Sequence, residues 1–225
     1  MIDFSKVNKM FIPEGEVQIA LKGSDKVWDK PTELEYEPLE YLEFDGTLVF
    51  NTNLYGSLET QIECKWKRTD TSSNKYLYGA ASAKNNATVS AYLSSGGYWR
   101  FGSSYRTVNT ANTNIHTTVH DKNGIELDSS SYNNAFTSTS SEFTTPYTII
   151  LGGNCSSSGV VSSSFVGHIY YFKVWENDVL VADWIPVRMG GINGFFDKVT
   201  NSFIQPIEQS YISDMEQVEP DEGVY

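Results

Sequence analysis

Phe165-Val-Gly-His-Ile-Tyr-Tyr-Phe-Lys-Val-Trp175 decides how this chain folds. An extended strand sends successive side chains to opposite faces. Strict alternation puts Val166, His168, Tyr170, Phe172 and Val174 on one face and Phe165, Gly167, Ile169, Tyr171 and Lys173 on the other. Apolar residues dominate both sets, which predicts a central strand covered on both sides. Glu176-Asn177-Asp178 supplies a turn and Val179–Val187 returns as the partner strand. Pro186 has no N–H to donate, so pairing is expected to end there.

The same signature recurs in both directions from this hairpin. Short β-branched and aromatic runs alternate with Gly, Asn-Gly and Ser-rich turns, and helical periodicity is almost absent. Expected strands include Leu39–Phe44, Leu58–Lys67, Lys75–Tyr78, Thr88–Leu93, Trp99–Phe101, Ile115–His120 and Tyr147–Leu151. The fold class is all-β. Thr107–Asn114, Ser129–Ser141 and Ser156–Ser164 read as polar surface loops. Residues 1–31 read as a short β module, with strands at Lys6–Ile12 and Glu16–Lys22, too small to bury a core of its own. Residues 32–213 form the main domain, and 214–225 an acidic tail poor in core formers.

Composition narrows the function classes. The 225 residues carry 16 Lys+Arg against 28 Asp+Glu, a formal charge of -12, with 14% aromatics. Such aromatic content goes with a packed core, and the acidity speaks against a nucleic-acid partner. No run of about 18 apolar residues is present to span a bilayer. The opening MIDFSKVNKMFIPEGEV has no charged region followed by an apolar run, so no secretory leader is expected. Cys64 and Cys155 match no metal spacing. Two buried thiols in a protein made in a reducing cytoplasm are expected, with a long-range disulfide as the alternative.

The closing hairpin, with its Gly-x-Ile-Tyr-x-Phe-Lys-Val and Leu-Val-x-Asp-x-Ile-Pro-Val-Arg wording, resembles that of concanavalin A-like (laminin-G-like) jelly rolls found in many bacteriophage structural and tail proteins. Leu39–Thr47, Tyr78–Ala80, Tyr98–Gly102, Ile115–Asp128, Thr148–Leu151 and Gly194–Phe203 are similar to that family's other strands in order, over roughly Pro38–Gln205. The first unit, ending Gly23-Ser-Asp-Lys-Val-Trp-Asp-Lys-Pro31, resembles the short hairpin module that opens some phage tail proteins. The resemblance implies a concanavalin A-like jelly-roll sandwich preceded by a β-hairpin module. It also implies a virion location, with other virion proteins bound through that module, and a homo-oligomer.

Some concanavalin A-like folds are glucanases, whose retaining members hold two carboxyl groups about 5–5.5 Å apart, often on a Glu-x-Asp-x-x-Glu strand. Here Glu43-Phe44-Asp45 begins that pattern, but the third position beyond Asp45 is Leu48. Glu59 and Glu63, four apart on one strand face, stand about 13 Å from one another. The expectation is a chain without catalytic residues. His116 and His120 have the same excessive spacing for one ion. His168 reads as a core histidine and Asp121-Lys-Asn-Gly124 as a hairpin turn. No metal ligands or cofactors are expected, calcium being the one ion that laminin-G-like modules leave room for.

A recognition surface remains. Tyr98, Trp99, Arg100 and Tyr105 cluster where loops leave a hairpin tip after Ser94-Ser-Gly-Gly97. Aromatic faces stack on sugar rings, and polar loop side chains bond hydroxyls. Trp99 and Phe101 alternate with Tyr98 and Arg100, so one of these faces is core. The expected function is a non-enzymatic virion protein that recognises host-surface glycan. The alternative is a decoration, collar or baseplate component contacting only other virion proteins.

Overall fold

A computed structural model describes residues 19–22, 25–29, 35–71, 74–81, 88–94, 96–133, 136, 142–155, 161–162 and 164–207. The expected strand at Lys6–Ile12, the boundary at Pro31, most of the Ser156–Ser164 segment and the acidic tail lie outside these residues. The chain divides into two units, Met1–Glu35 and Tyr36–Tyr225. In the first, β1 (Ile19–Lys22) pairs antiparallel with β2 (Asp25–Asp29).

Among its described residues the second unit is all-β, and its two largely antiparallel sheets pack face to face as a sandwich. One sheet contains β3 (Glu37–Pro38), β4 (Leu42–Asp45), β6 (Thr60–Arg68), β11 (Ile115–Asp121), β12 (Gly124–Leu127), β13 (Ser130–Asn133), β17 (Val166–Glu176), β18 (Val179–Met189), β19 (Ile192–Asp197) and β20 (Ser202–Ile204). The other contains β5 (Phe50–Ser57), β7 (Lys75–Ala81), β8 (Thr88–Leu93), β9 (Gly97–Phe101), β10 (Ser104–Val108), β14 (Thr144–Leu151), β15 (Asn154–Cys155) and β16 (Val161–Ser162). Its main path runs β10-β9-β8-β7-β14-β5, with one short parallel contact between β15 and β7.

β6 shows most simply why these residues form a half-buried strand. Thr60, Ile62, Cys64, Trp66 and Arg68 point inward, while Gln61, Glu63, Lys65 and Lys67 point outward. Trp66, Trp99, Trp184, Phe50, Phe172 and Phe195 fill the space between the sheets. At 150–250 Å² buried per aromatic side chain, such residues dominate the stabilising area. Arg68 ends the inward row, 1% exposed. Its guanidinium donates to the Ser94 carbonyl at 2.8 Å and the Asp70 carbonyl at 3.1 Å. One sheet thereby holds the β8–β9 turn of the other.

The central strand departs from strict alternation. A bulge between Ile169 and Tyr171 interrupts its pairing with β6. Gly167 and Ile169 face the core before it, Phe172 and Val174 after it. Inserting one residue reverses the phase of every later side chain. The mixed apolar sets in the sequence come from this shift, not from a strand covered on both faces. His168 accordingly lies on the outer face, half-buried and stacked on Tyr41 at 3.9 Å, and is not a core histidine.

Pro186 does not end its strand either, because β18 continues to Met189. The Pro186 carbonyl accepts from the Leu39 N–H at 3.0 Å. A strand residue's N and O point to the same edge, so the missing donor falls where β18 exchanges β17 for β3 as its neighbour. On the other edge, pairing with β19 runs unbroken through Pro186 and Phe195. All three stretches expected as loops contribute to edge strands: Thr107 and Val108 end β10, β13 lies within Ser129–Ser141, and β16 lies within Ser156–Ser164. Edge strands have one unpaired side and tolerate polar residues that a central strand would not.

Candidate binding surface

The residues singled out around the β8–β9 turn separate into two groups. β9 alternates cleanly, with Gly97, Trp99 and Phe101 inside and Tyr98 and Arg100 outside. Trp99 is fully buried, 5.7 Å from the His120 ring and 6.2 Å from that of Tyr78. It is a core residue and cannot offer a stacking face to a ligand. Tyr105 lies on the edge strand β10 and not in a loop, 63% exposed and directly opposite Arg100. The surviving surface is a sheet face, whereas loop tips were expected.

Cross-strand register extends it. Tyr98 stands opposite Tyr92, and Tyr92 opposite Tyr76. Ring centroids are separated by 4.7 Å between Tyr76 and Tyr92, 6.2 Å between Tyr92 and Tyr98, and 6.3 Å between Tyr98 and Tyr105. These spacings lie in the range of mutually packed aromatics. Four tyrosines thus form a continuous row across β7, β8, β9 and β10. Tyr76, Tyr92, Tyr98 and Arg100 line an open cleft of about 340 Å³. Burial raises the Tyr76 hydroxyl's pKa above its ordinary value, against the opposing pull of Arg100, so it stays protonated and able to donate at neutral pH.

Tyr76 and Tyr92 are absent from the sequence reading, for different reasons. Leu93 pairs with Gly97, so a three-residue turn aligns Tyr92 with Tyr98, and that register was open to inspection. Tyr76 lies across a longer connection and beside a bulge between Tyr76 and Tyr78, which no sequence pattern marks.

Three of the carboxylates considered for catalysis, Asp45, Glu59 and Glu63, have partners of their own. Asp45 accepts from the Thr47 N–H at 2.8 Å and its hydroxyl at 2.7 Å, which hold its carboxyl below the ordinary carboxylate pKa. A general acid needs the opposite shift. Glu59 pairs with Lys122 at 2.6 Å, and Glu63 accepts from the Tyr171 hydroxyl at 2.6 Å. Asp121 caps its own turn through the Asn123 and Gly124 N–H groups. His116 faces Asp128 through Nδ1 at 2.6 Å and Asn112 through Nε2 at 2.9 Å, tying two connections together. Among the described residues no group of three or more His, Cys, Asp or Glu side chains could hold a metal ion. Cys64 and Cys155 are both buried and form no disulfide, and burial pushes the Cys155 thiol up to about 11.

No family model matches this chain, and no curated protein matches it. Among solved structures it is similar to a crystal structure from Mycobacterium abscessus named "Putative beta-glucanase", at 13% identity and a TM-score of 0.32, over 56% of this chain and 68% of that one.

The separation of Trp99 from its neighbours has a direct test. Trp99→Ala is expected to cost about 3–5 kcal/mol by emptying core volume. Tyr98→Ala should cost clearly less, about 1 kcal/mol, because only its ring contacts with Tyr92 and Tyr105 are lost. Urea denaturation of both variants measures this, and equal losses would contradict the assignment of faces.

Proposed function

We propose that this chain is a non-enzymatic saccharide-binding protein whose ligand lies along the tyrosine row of the eight-stranded sheet. The observation that carries this reading is the row itself: four tyrosines on successive strands, with Tyr98 and Tyr105 exposed, beside an open cleft. A soluble protein leaves such aromatic area uncovered at a cost, and contiguous exposed apolar surface commonly marks a binding site. A sugar presents an apolar C–H face to a ring and hydroxyls to the polar groups around it, and tyrosine supplies both kinds of partner.

The virion setting and the recognition of host-surface glycan belong to the same proposal. Their support is the resemblance of the closing hairpin and the small first unit to phage tail proteins. Several copies on one particle would raise a weak single-site affinity by avidity.

The experiment is a glycan array followed by calorimetric titration of whichever saccharides bind. Tyr98→Ala and Tyr92→Ala should each weaken binding about tenfold or more, as central aromatic anchors do. Tyr98→Phe should retain most of it. Saccharide binding that was indifferent to both alanine variants would remove the tyrosine row from the site.

A further inference from the structure

We infer that the saccharide is acidic, its carboxylate or sulfate held by Arg100; this rests on the saccharide reading above. The chain as a whole is strongly acidic, yet the fifty residues 71–120, which contain β7 to β10 and all of β11 but its last residue, Asp121, include four Lys/Arg and no Asp or Glu. β7, β8, β9 and β10 therefore present an acid-free face on a protein of formal charge -12. Such an island repels anions less than the rest of the surface, and a cation on it attracts them.

Arg100 is the cation placed among the tyrosines. It is exposed, lines the cleft with Tyr76, Tyr92 and Tyr98, and stands opposite Tyr105. Among the described residues no carboxylate pairs with it. Between residues 36 and 207 the segments outside the described set, 72–73, 82–87, 95, 134–135, 137–141, 156–160 and 163, contain one lysine and no acid. A guanidinium is a planar fork that meets a carboxylate through two parallel hydrogen bonds.

A second feature adjoins it. Ser90 stands directly across the β8–β9 pairing from Arg100 and Gly79 across the β7–β8 pairing from Ser90. Ser90 is 1% exposed, and its hydroxyl has no hydrogen-bond partner among the described residues. Asn154, against Gly79, is 4% exposed with an equally unpartnered Oδ1. Buried polar atoms are rarely left unpaired. Both atoms are covered by protein and out of a ligand's reach, so the exposed Arg100 on the acid-free face carries the preference for an anion.

The test is calorimetric titration of the intact chain with three probes of equal length: a neutral galactan tetrasaccharide, tetragalacturonate and a sulfated galactan tetrasaccharide. A glycan array of neutral and acidic microbial saccharides runs alongside. At low salt an acidic probe is expected to bind at least tenfold more tightly than the neutral one. That margin should shrink in 0.5 M NaCl, because exposed charges are screened. Arg100→Gln should remove the margin, lowering affinity for the acidic probes far more than for the neutral one, while Tyr98→Ala weakens all three. Preference for the uronate names a carboxylate as the recognised group, and preference for the sulfated probe names a sulfate; either supports the inference. Equal affinity for neutral and acidic probes, untouched by Arg100→Gln, would overturn it and leave the saccharide reading standing. No saccharide bound on array or in titration, by a protein with an intact β-sheet spectrum, would overturn both.

Discussion

Alanine at position 167 is expected to leave this protein largely unfolded. Gly167 lies in β17 with φ +151°, a conformation that L side chains rarely adopt. A Cβ there would overlap the backbone oxygen of Lys67 and meet Phe165 Cζ at 2.8 Å. The obstacle is main chain, so no rotamer change relieves it. Withdrawing the Lys67 oxygen would break the ladder in which Gly167 faces Arg68 and His168 faces Lys67. That ladder is the axis of the ten-stranded sheet, since β17 also pairs with β4 and β18. The loss should exceed about 4 kcal/mol, a large share of the 5–15 kcal/mol that holds a typical domain together. Gly190→Ala is the control. Gly190 has φ +58° in the β18–β19 turn, and a Cβ there would meet nothing within 4 Å. Only backbone strain applies, about 1 kcal/mol. Chemical denaturation of the two variants checks the contrast, and a Gly167→Ala protein within 1 kcal/mol of the parent would refute the close approach.

Acidification should destabilise the protein through one buried imidazole. His120 is fully buried, with the rings of Tyr78, Trp99, Phe101 and Phe136 around it. The Tyr78 hydroxyl lies 2.9 Å from Nδ1, and Nε2 has no partner among the described residues. Desolvation of the charged form lowers its pKa from 6.5 to about 3. Below pH 6.5 the unfolded chain therefore binds a proton that the folded chain refuses. Stability contributed by the neutral ring is complete above pH 6.5, falls as the pH drops, and stops falling near pH 3. The slope in that window is at most about 1.4 kcal/mol per pH unit. His120→Gln keeps an acceptor for Tyr78 but does not titrate. It should be less stable than the parent at pH 7, by about 1–3 kcal/mol of lost packing. The gap should narrow steadily toward pH 4. A gap that stayed constant from pH 7 to pH 4 would show that His120 does not carry the acid sensitivity.

Both sites were visible in the sequence as letters and neither as a mechanism. Gly167 belonged to the wording by which the closing hairpin was recognised, but nothing in the chain before it says that Lys67 must pass so close. His120 shares a strand face with His116, which suggested a question about metals. The structure instead places them in unlike surroundings, one tied to Asp128 and Asn112, the other enclosed by rings. Trp99 shows the converse. The alternation of Gly97, Trp99 and Phe101 against Tyr98 and Arg100 already implied one buried face, and burial chose the larger ring.

The sequence by itself determined that this protein is a β-sandwich. Strand signals depend on residues two apart, turn signals on residues adjacent to one another, and both are local. The same locality placed Tyr98, Arg100 and Tyr105 near a hairpin end. Only the tertiary structure decided that the tyrosines form one row, that the central strand changes face at a bulge, and that Trp99 belongs to the core. Each of these depends on which strands become neighbours and in what register, and a single inserted residue reverses the face of every side chain beyond it. No pattern confined to one strand contains that information.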